Sequence, residues 1–175
     1  MSVVFRADRH EAMMAVAENV ACLATCYRRA VGCVLVSARK EVLATGYNGP
    51  SRGTPHCLDG GVGDGGEGEL CPGALDDRHE GLCRAVHAEA NALVQLRDPW
   101  LPLIAYVTAA PCARCTRMLA NTSLVAVIYG EASPKHPEAA QEWRWSGRLW
   151  LQFKQEAIPA WDQLLIMQKA LGLSD

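Results

Sequence analysis

The sequence predicts a single α/β domain, built on a mixed five-stranded sheet with helices on both faces. Residues 30–36 and 41–45 are two short apolar runs separated by a turn, as in a β-hairpin. From Leu103 onward, strand-like and helix-like segments alternate, which implies parallel strands joined by right-handed crossovers. At 175 residues the chain can bury a substantial core, so we expect one domain over residues 1–175.

The N-terminal elements follow from apolar spacing. A helix is predicted over residues 9–24, with Asp8 as its N-cap and Glu11 three residues later, as in a capping box. The valine-rich run from Ala30 to Val36 suits a strand that is buried on both faces. Cys33 lies within this run, and we interpret it as a small hydrophobic residue rather than a metal ligand.

The later elements alternate in type. The predicted order is a helix over Ala85–Arg97 stopped by Asp98-Pro99, a strand over Leu103–Ala110, a helix over Cys112–Ala120, a strand over Leu124–Tyr129, a helix over Ser133–Trp145, a strand over Arg148–Phe153 and a helix over Pro159–Leu171. Residues 134–175 form a C-terminal tail, and only its predicted helices and strand indicate that it belongs to the same fold.

Composition and charge narrow the class of protein. The formal net charge is −2, which argues against broad, charge-driven binding of nucleic acid. No apolar stretch approaches the length of a membrane span, and residues 1–11 lack the pattern of a signal peptide. We therefore expect a cytoplasmic protein that uses its eight cysteines for metal binding and core packing rather than for disulfides.

Two short motifs carry the chemistry. His87 and Glu89 stand two residues apart at a predicted helix start, and Cys112 and Cys115 follow Pro111 at another. One imidazole and two thiolates supply three zinc ligands and leave the fourth position open, as a catalytic site requires. A helix N-terminus lowers the pKa of a thiol, and Glu89 beside the metal can transfer protons.

Each motif also has a simpler interpretation. A Cys-x-x-Cys pair alone is equally typical of a structural zinc knuckle or a redox site, and Glu89 alone could be a solvated charge. A non-catalytic, zinc-stabilised binding module therefore stays as an alternative from another functional class. The combination with His87 favours catalysis, because a purely structural site needs no carboxylate at this spacing.

Two loops raise further possibilities. Asn48, after the second strand, is either a turn former or a substrate contact, since its amide offers both a donor and an acceptor. Residues 58–81 form a glycine-rich, acidic insertion without periodicity, which reads as a long loop. Cysteines and histidine lie in or beside this insertion, and a metal could close it: Cys57, Cys71, His79 and Cys83.

The sequence resembles the deoxycytidylate (dCMP) deaminase family of the cytidine deaminase-like superfamily. Four segments carry the resemblance, which covers about residues 10–133: residues 25–32, residues 46–49 with 55–57, residues 83–89, and residues 106–108 with 111–115. The His-x-Glu and Pro-Cys-x-x-Cys pair is the signature of zinc-dependent base deaminases. The resemblance implies a three-layer α/β/α fold.

The resemblance also implies a reaction and its residues. The family hydrolyses dCMP to dUMP and ammonia in pyrimidine deoxynucleotide metabolism. By this analogy His87, Cys112 and Cys115 bind the catalytic zinc, and Glu89 protonates ring N3 and helps the amine to leave. The backbone of Ala88 and the residues near Pro111 hold the base, while Asn48 contacts the sugar-phosphate end.

Some family members carry a second, structural zinc. By resemblance Cys26 and Cys57 stand at matching positions, Cys83 is the next choice, and His79 or Cys71 completes the set. His79 and Cys83 are four residues apart, so both could face one ion if that segment were helical. The alignment across the glycine-rich insertion leaves the choice between His79 and Cys71 open.

The substrate, the phosphate contact and the assembly each have more than one interpretation in the sequence. The two motifs do not separate dCMP from modified dCMP, dCTP, cytosine, guanine or tRNA adenosine as the substrate. Arg52 and Arg28 are candidate phosphate contacts, and each could equally be a solvated surface arginine. The resemblance further implies a homo-oligomer, usually a hexamer, and allosteric dCTP and dTTP that could bind with Mg²⁺.

Overall fold

The computed structural model describes residues 8–26, 28–57, 83–132 and 137–173 of the chain. In chain order the elements are α1 (Arg9–Ala21), β1 (Gly32–Ser37), β2 (Val42–Tyr47), β3 (Gly49–Pro50), β4 (Ala85–Val86), α2 (Ala88–Gln95), β5 (Pro102–Ala109), α3 (Ala113–Ala120), β6 (Ala126–Glu131), α4 (Pro137–Trp145), β7 (Leu149–Gln152) and α5 (Trp161–Ala170). Within the described ranges, no helix is both long and apolar enough to cross a membrane.

The main sheet has five strands in the order β2-β1-β5-β6-β7. β1 is antiparallel to both of its neighbours, so β1 and β2 form the predicted hairpin. β5, β6 and β7 are parallel, and α3 and α4 connect them. The predicted mixed sheet is therefore confirmed.

Alternate residues of the central strands face two separate apolar clusters. On one face, Cys33 and Leu35 of β1 pack with Ala88 and Ala92 of α2, and α3 and α4 complete this cluster. On the other face, Val34 and Val36 pack with residues of α1 and α5. This two-sided burial gives the three-layer α/β/α arrangement and explains the continuous apolar runs of β1 and β5. Cys33 is fully buried in the core, as predicted.

The structure shortens the first helix but confirms its cap. The Asp8 carboxylate accepts hydrogen bonds from the backbone N–H groups of His10 and Glu11. The predicted end at residue 24 is wrong, because α1 ends at Ala21. The next three N–H groups donate to carbonyls three residues earlier, which is a tightened turn rather than a continued helix.

The predicted helix over residues 85–97 is also wrong at its start. Ala85 and Val86 are extended and pair with Pro50 and Gly49 in the antiparallel β3–β4 ladder. Inter-strand pairing overrides the helical spacing of these residues, so α2 begins only at Ala88. His87 is consequently the N-cap of α2, with extended backbone angles φ −72° and ψ 154°.

Candidate active site

The start of α2 places His87 and Glu89 on one side of the helix end. His87 precedes the regular turn, so the i, i+2 spacing does not force the two side chains to opposite faces. Glu89 lies in the first turn and is only 3% exposed. The predicted requirement that the pair sit at a helix end is met.

Strand β2 brings this helix start close to the sheet through a glycine. A Cβ atom added at Gly46 would lie 2.2 Å from the carbonyl oxygen of Ala88 and 2.4 Å from the nitrogen of Ala92. No side chain fits in this gap, so Gly46 lets the backbone of α2 rest directly on β2. The amide of Asn91 also donates to the carbonyl of Tyr47 at 2.7 Å and ties α2 to the end of β2.

The second helix start brings both cysteines to His87. Cys112 is the N-cap of α3 with an extended backbone, and Cys115 lies in the first turn and is buried. The Sγ atoms of Cys112 and Cys115 each lie 3.5 Å from Nδ1 of His87. The three ligand atoms are all within 4.8 Å of one another.

These spacings fit a tetrahedral zinc. Zn–S and Zn–N bonds of about 2.3 Å and 2.0–2.1 Å at a tetrahedral angle separate sulfur from nitrogen by about 3.6 Å. The observed 3.5 Å sulfur–nitrogen distances match that value. Two soft thiolates and one imidazole are also a donor set that zinc prefers.

The side chains at this site shift one another's pKa values. The hydrogen bond from the Cys115 thiol is the largest of several effects that lower the pKa of Cys112 to about 3. The same hydrogen bond, together with burial, raises the pKa of Cys115. Without metal, the pair therefore holds one thiolate and one thiol near neutral pH. Burial raises the pKa of Glu89 above its usual range, although its own backbone N–H and His87 oppose the shift.

The predicted substrate contacts occupy different settings. Ala88 and Pro111 are buried beside the ligand residues. Asn48 is nearly buried, and each end of its amide makes an internal hydrogen bond. Its Oδ1 accepts from the N–H of Val31 at 2.8 Å, and its Nδ2 donates to the carbonyl of Arg29 at 2.7 Å. Arg52 is exposed in the turn after β3.

The proposed second zinc site falls partly outside the described residues. Cys71 and His79 lie there, as does the glycine-rich insertion at residues 58–81. Of the remaining candidates, Cys57 is buried, while Cys26 and Cys83 are partly buried. In the described part of the chain, His87, Cys112 and Cys115 are the one group of three ligand residues with metal-binding spacing.

Some supporting residues were not predicted from the sequence. Asn91 and Thr108 fix the surroundings of the site through their side chains, since the hydroxyl of Thr108 accepts from the N–H of Gly32 at 3.1 Å. Asn91 lies four residues after His87, one helical turn along, and this spacing was the only available signal. Gly46 carried no signal by itself, because a strand glycine has several possible causes.

Comparison with known proteins settles the family. Residues 7–131 match the family model described as the cytidine and deoxycytidylate deaminase zinc-binding region. The chain belongs to this family. Family membership and the His87–Cys112–Cys115 group together support zinc as the metal of the site.

Characterised relatives extend the comparison. The chain is 35% identical over 138 residues to the deoxycytidylate deaminase of Mycobacterium phage D29, covering 73% of this chain and 98% of that protein. It is 32% identical over 145 residues to the ComE operon protein 2 of Bacillus subtilis, covering 81% and 69%. The deoxycytidylate deaminase of Schizosaccharomyces pombe is 33% identical over 127 residues, covering 71% of this chain but 38% of that protein. The chain thus spans less than half of the fission yeast relative.

Solved structures confirm the predicted fold. The dCMP deaminase of cyanophage S-TIM5, crystallised with dCMP and dUMP, superposes with a TM-score of 0.64 at 23% identity. The superposition covers 85% of this chain and 99% of that chain. The apo form of the same enzyme gives a TM-score of 0.59 at 22% identity. At these identities the likeness establishes the cytidine deaminase-like fold.

Proposed function

We propose that this protein is a zinc-dependent hydrolase that converts dCMP and water to dUMP and ammonia. One observation carries the proposal: the buried carboxylate of Glu89 lies against the Cys115 thiol, beside a group of three zinc ligands with tetrahedral spacing. The choice of dCMP is supported by the phage D29 deoxycytidylate deaminase, because this chain matches 98% of that protein's length.

The residues of the chain divide the work of this reaction. His87, Cys112 and Cys115 would hold the zinc, which when bound makes a water molecule acidic enough to ionise near neutral pH. Glu89 accepts a proton from the attacking water and delivers it to ring N3. It then carries the second proton to the departing amine, so that the water oxygen remains on the ring as the uracil carbonyl.

The environment of Glu89 suits a proton carrier. In the metal-free protein, burial raises the pKa of Glu89, which brings the carboxyl closer to neutral pH than an exposed glutamate. A proton carrier is most effective when its pKa lies near the working pH. The buried position also keeps bulk water from exchanging with the transferred proton.

We also propose the substrate contacts. The backbone of Ala88 and Pro111, which flank the ligand residues, would orient the cytosine ring. Asn48 would contact the sugar through the donor and acceptor capacity that its internal bonds leave over. Arg52 would remain at the rim as a phosphate contact.

Hydrolysis of a panel of bases tests the reaction. Ammonia release should be measured with dCMP, dCTP, cytidine, cytosine, guanine and 5-substituted dCMP. We expect dCMP or a 5-substituted dCMP to be the best substrate. Turnover of cytosine or guanine alone would assign another base deaminase, and zinc binding without any turnover would support the binding module.

We propose a second, structural zinc held by Cys26, Cys57 and Cys83 with His79 or Cys71. The buried or partly buried state of the three described cysteines supports this. Zinc content per chain tests it directly. Two zinc ions in the wild type and one in Cys83→Ser are expected, whereas one ion in both would refute the second site.

The remaining proposals rest on the family. We propose that the protein is a cytoplasmic enzyme of pyrimidine deoxynucleotide metabolism and that residues 1–175 fold as one domain. We also propose that it assembles as a homo-oligomer, which by resemblance is a hexamer. Allosteric dCTP and dTTP, with Mg²⁺ accompanying the nucleotide, belong to the same set. Sedimentation velocity with and without dCTP, dTTP and Mg²⁺ tests the assembly and its effectors together.

A further inference from the structure

A cavity lies at the carboxyl ends of β5 and β6. An open cavity of about 560 Å³ is bounded there by Thr108 and Ala109 of β5, by Glu131 of β6, by Glu18 of α1 and by Arg29. Ligands of α/β proteins commonly bind in crevices outside the carboxyl ends of strands. The volume is within the range of small-molecule pockets.

A short segment of chain connects the cavity to the zinc-ligand cluster. Ala109 is three residues before Cys112, and three residues span at most about 11 Å. The connecting segment is also fixed, because the N–H of Ala110 donates to the carbonyl of Glu131 at 2.8 Å. A nucleotide whose base reaches the cluster can therefore extend its sugar-phosphate end toward this cavity.

The backbone that carries Arg29 is held in place. The Asn48 side chain binds the carbonyl of Arg29 and the N–H of Val31. The next N–H, that of Gly32, donates to the hydroxyl of Thr108. Arg29 thus extends from an ordered segment rather than from a free loop, which lowers the entropy lost when its guanidinium binds a ligand.

The guanidinium of Arg29 has a weak partner in the free protein. Its Nη2 lies 3.3 Å from Oε2 of Glu131, and the two side chains are 50% and 73% exposed. Such an exposed ion pair contributes little free energy, so a stronger anion can replace it. Among the described residues that line the cavity, Arg29 carries the positive charge, and Glu18 and Glu131 carry the negative charges.

We propose that Arg29 binds the 5′-phosphate of the nucleotide and exchanges its ion pair with Glu131 for the phosphate. A guanidinium matches phosphate geometry with two parallel hydrogen bonds, which a carboxylate at 3.3 Å from a single nitrogen does not reproduce. This inference rests on the proposed nucleotide reaction. It makes Arg29 the main phosphate partner, with Arg52 as a contact at the rim, because neither Arg28 nor Arg52 is among the described lining residues.

Opposite effects of two variants test the exchange. In Arg29→Gln, we expect the KM for dCMP to rise by at least about tenfold with little change in kcat. In Glu131→Gln, the KM should fall, because the arginine no longer has a competing partner. Competitive inhibition should follow the same pattern: the Ki of dUMP rises in Arg29→Gln, while that of deoxyuridine, which lacks the phosphate, stays unchanged.

Control variants separate phosphate binding from a structural role. Arg117→Gln breaks a bidentate surface ion pair with Glu142 on α3 and α4, and it should leave both inhibition constants unchanged. Arg29→Lys keeps the charge without the planar fork, so its KM should lie between those of wild type and Arg29→Gln. Thermal unfolding and zinc content verify that each variant is folded.

The outcomes distinguish this inference from the function on which it rests. If Arg29→Gln and Glu131→Gln both raise the KM, the ion pair is structural and the exchange is refuted. If Arg29→Gln affects dUMP and deoxyuridine equally, Arg29 does not read the phosphate. If the wild type turns over no deoxycytidine nucleotide, the proposed function fails first and the inference fails with it. If Arg29→Gln does not fold, the KM values of Glu131→Gln and Arg29→Lys still test whether Arg29 binds the phosphate.

Discussion

Replacement of Gly46 by alanine should weaken zinc binding although Gly46 is not a ligand. The added Cβ would lie 2.2 Å from the Ala88 carbonyl oxygen, whereas ordinary contacts begin at 3.4 Å. The start of α2 must therefore move by about 1 Å or β2 must distort. His87 and Glu89 flank Ala88, so the movement reaches both of them.

The magnitude follows from two different tolerances. Overpacking a core typically costs about 1–3 kcal/mol, which lowers Tm by roughly 2 to 12 °C for a chain of this size. A zinc site tolerates ligand displacements of only about 0.2 Å. A shift of about 1 Å in His87 should therefore lower zinc affinity by at least about tenfold, the range seen when supporting groups of metal sites are lost.

Gly32→Ala is the matched control for Gly46→Ala. A Cβ at Gly32 would lie 2.0 Å from the carbonyl oxygen of Ala17 in α1, which packs on the opposite face and carries no ligand of this site. Competition with a chromogenic chelator gives zinc affinity, and calorimetry gives Tm. Both variants should melt earlier, but only Gly46→Ala should bind zinc more weakly. Equal zinc affinity in the two variants would refute the role of Gly46.

Three further predictions concern single groups. Glu89→Gln should retain zinc and fold but lose activity by about 10²- to 10⁴-fold, the usual contribution of a proton-transferring residue; full activity with bound zinc would contradict that role. At pH 7 the metal-free Cys112/Cys115 pair should hold about one thiolate, because this pH lies above the lowered pKa of Cys112 and below the raised pKa of Cys115. The number of thiolates is measured as the ultraviolet thiolate absorbance that is lost in the Cys112→Ser, Cys115→Ser double variant. A loss equal to two thiolates would contradict the prediction of one. Arg148→Met should lower the free energy of unfolding by about 3 kcal/mol, because Arg148 donates hydrogen bonds to the carbonyls of Ala120 and Thr122 at the end of α3. An unchanged Tm would show that these hydrogen bonds do not stabilise the fold.

The sequence was sufficient for the sheet and for the grouping of His87, Cys112 and Cys115. Apolar runs in β1 and β5 mark strands buried on both faces, and strand–helix alternation after Leu103 determines parallel pairing. The cluster could be predicted because its ligands occur as two short motifs, each at a helix start. Local patterns of this kind do not depend on how distant parts of the chain pack.

The sequence was insufficient where tertiary pairing decides. Ala85 and Val86 continue a helical pattern, yet they pair with Gly49 and Pro50, which lie 35 or more positions earlier along the chain. No periodicity within residues 85–97 reports such a partner. The contacts of Asn48 are similar, because its hydrogen bonds to Arg29 and Val31 depend on how two loops meet.

The group of His87, Cys112 and Cys115 also departs from local helix rules. His87 and Cys112 occupy the N-cap positions of α2 and α3, and neither side chain makes a capping hydrogen bond. An uncapped helix start forfeits about 1 kcal/mol relative to serine, threonine or aspartate, whereas Asp8 caps α1 in the ordinary way. The extended backbone at an N-cap lets a side chain extend past the end of its helix, toward a neighbouring helix start. Zinc binding offsets the two missing caps, because its free energy is available only to the folded arrangement. The same two positions that weaken the helices thus create a metal site between them, and Glu89 in the first turn of α2 lies beside it.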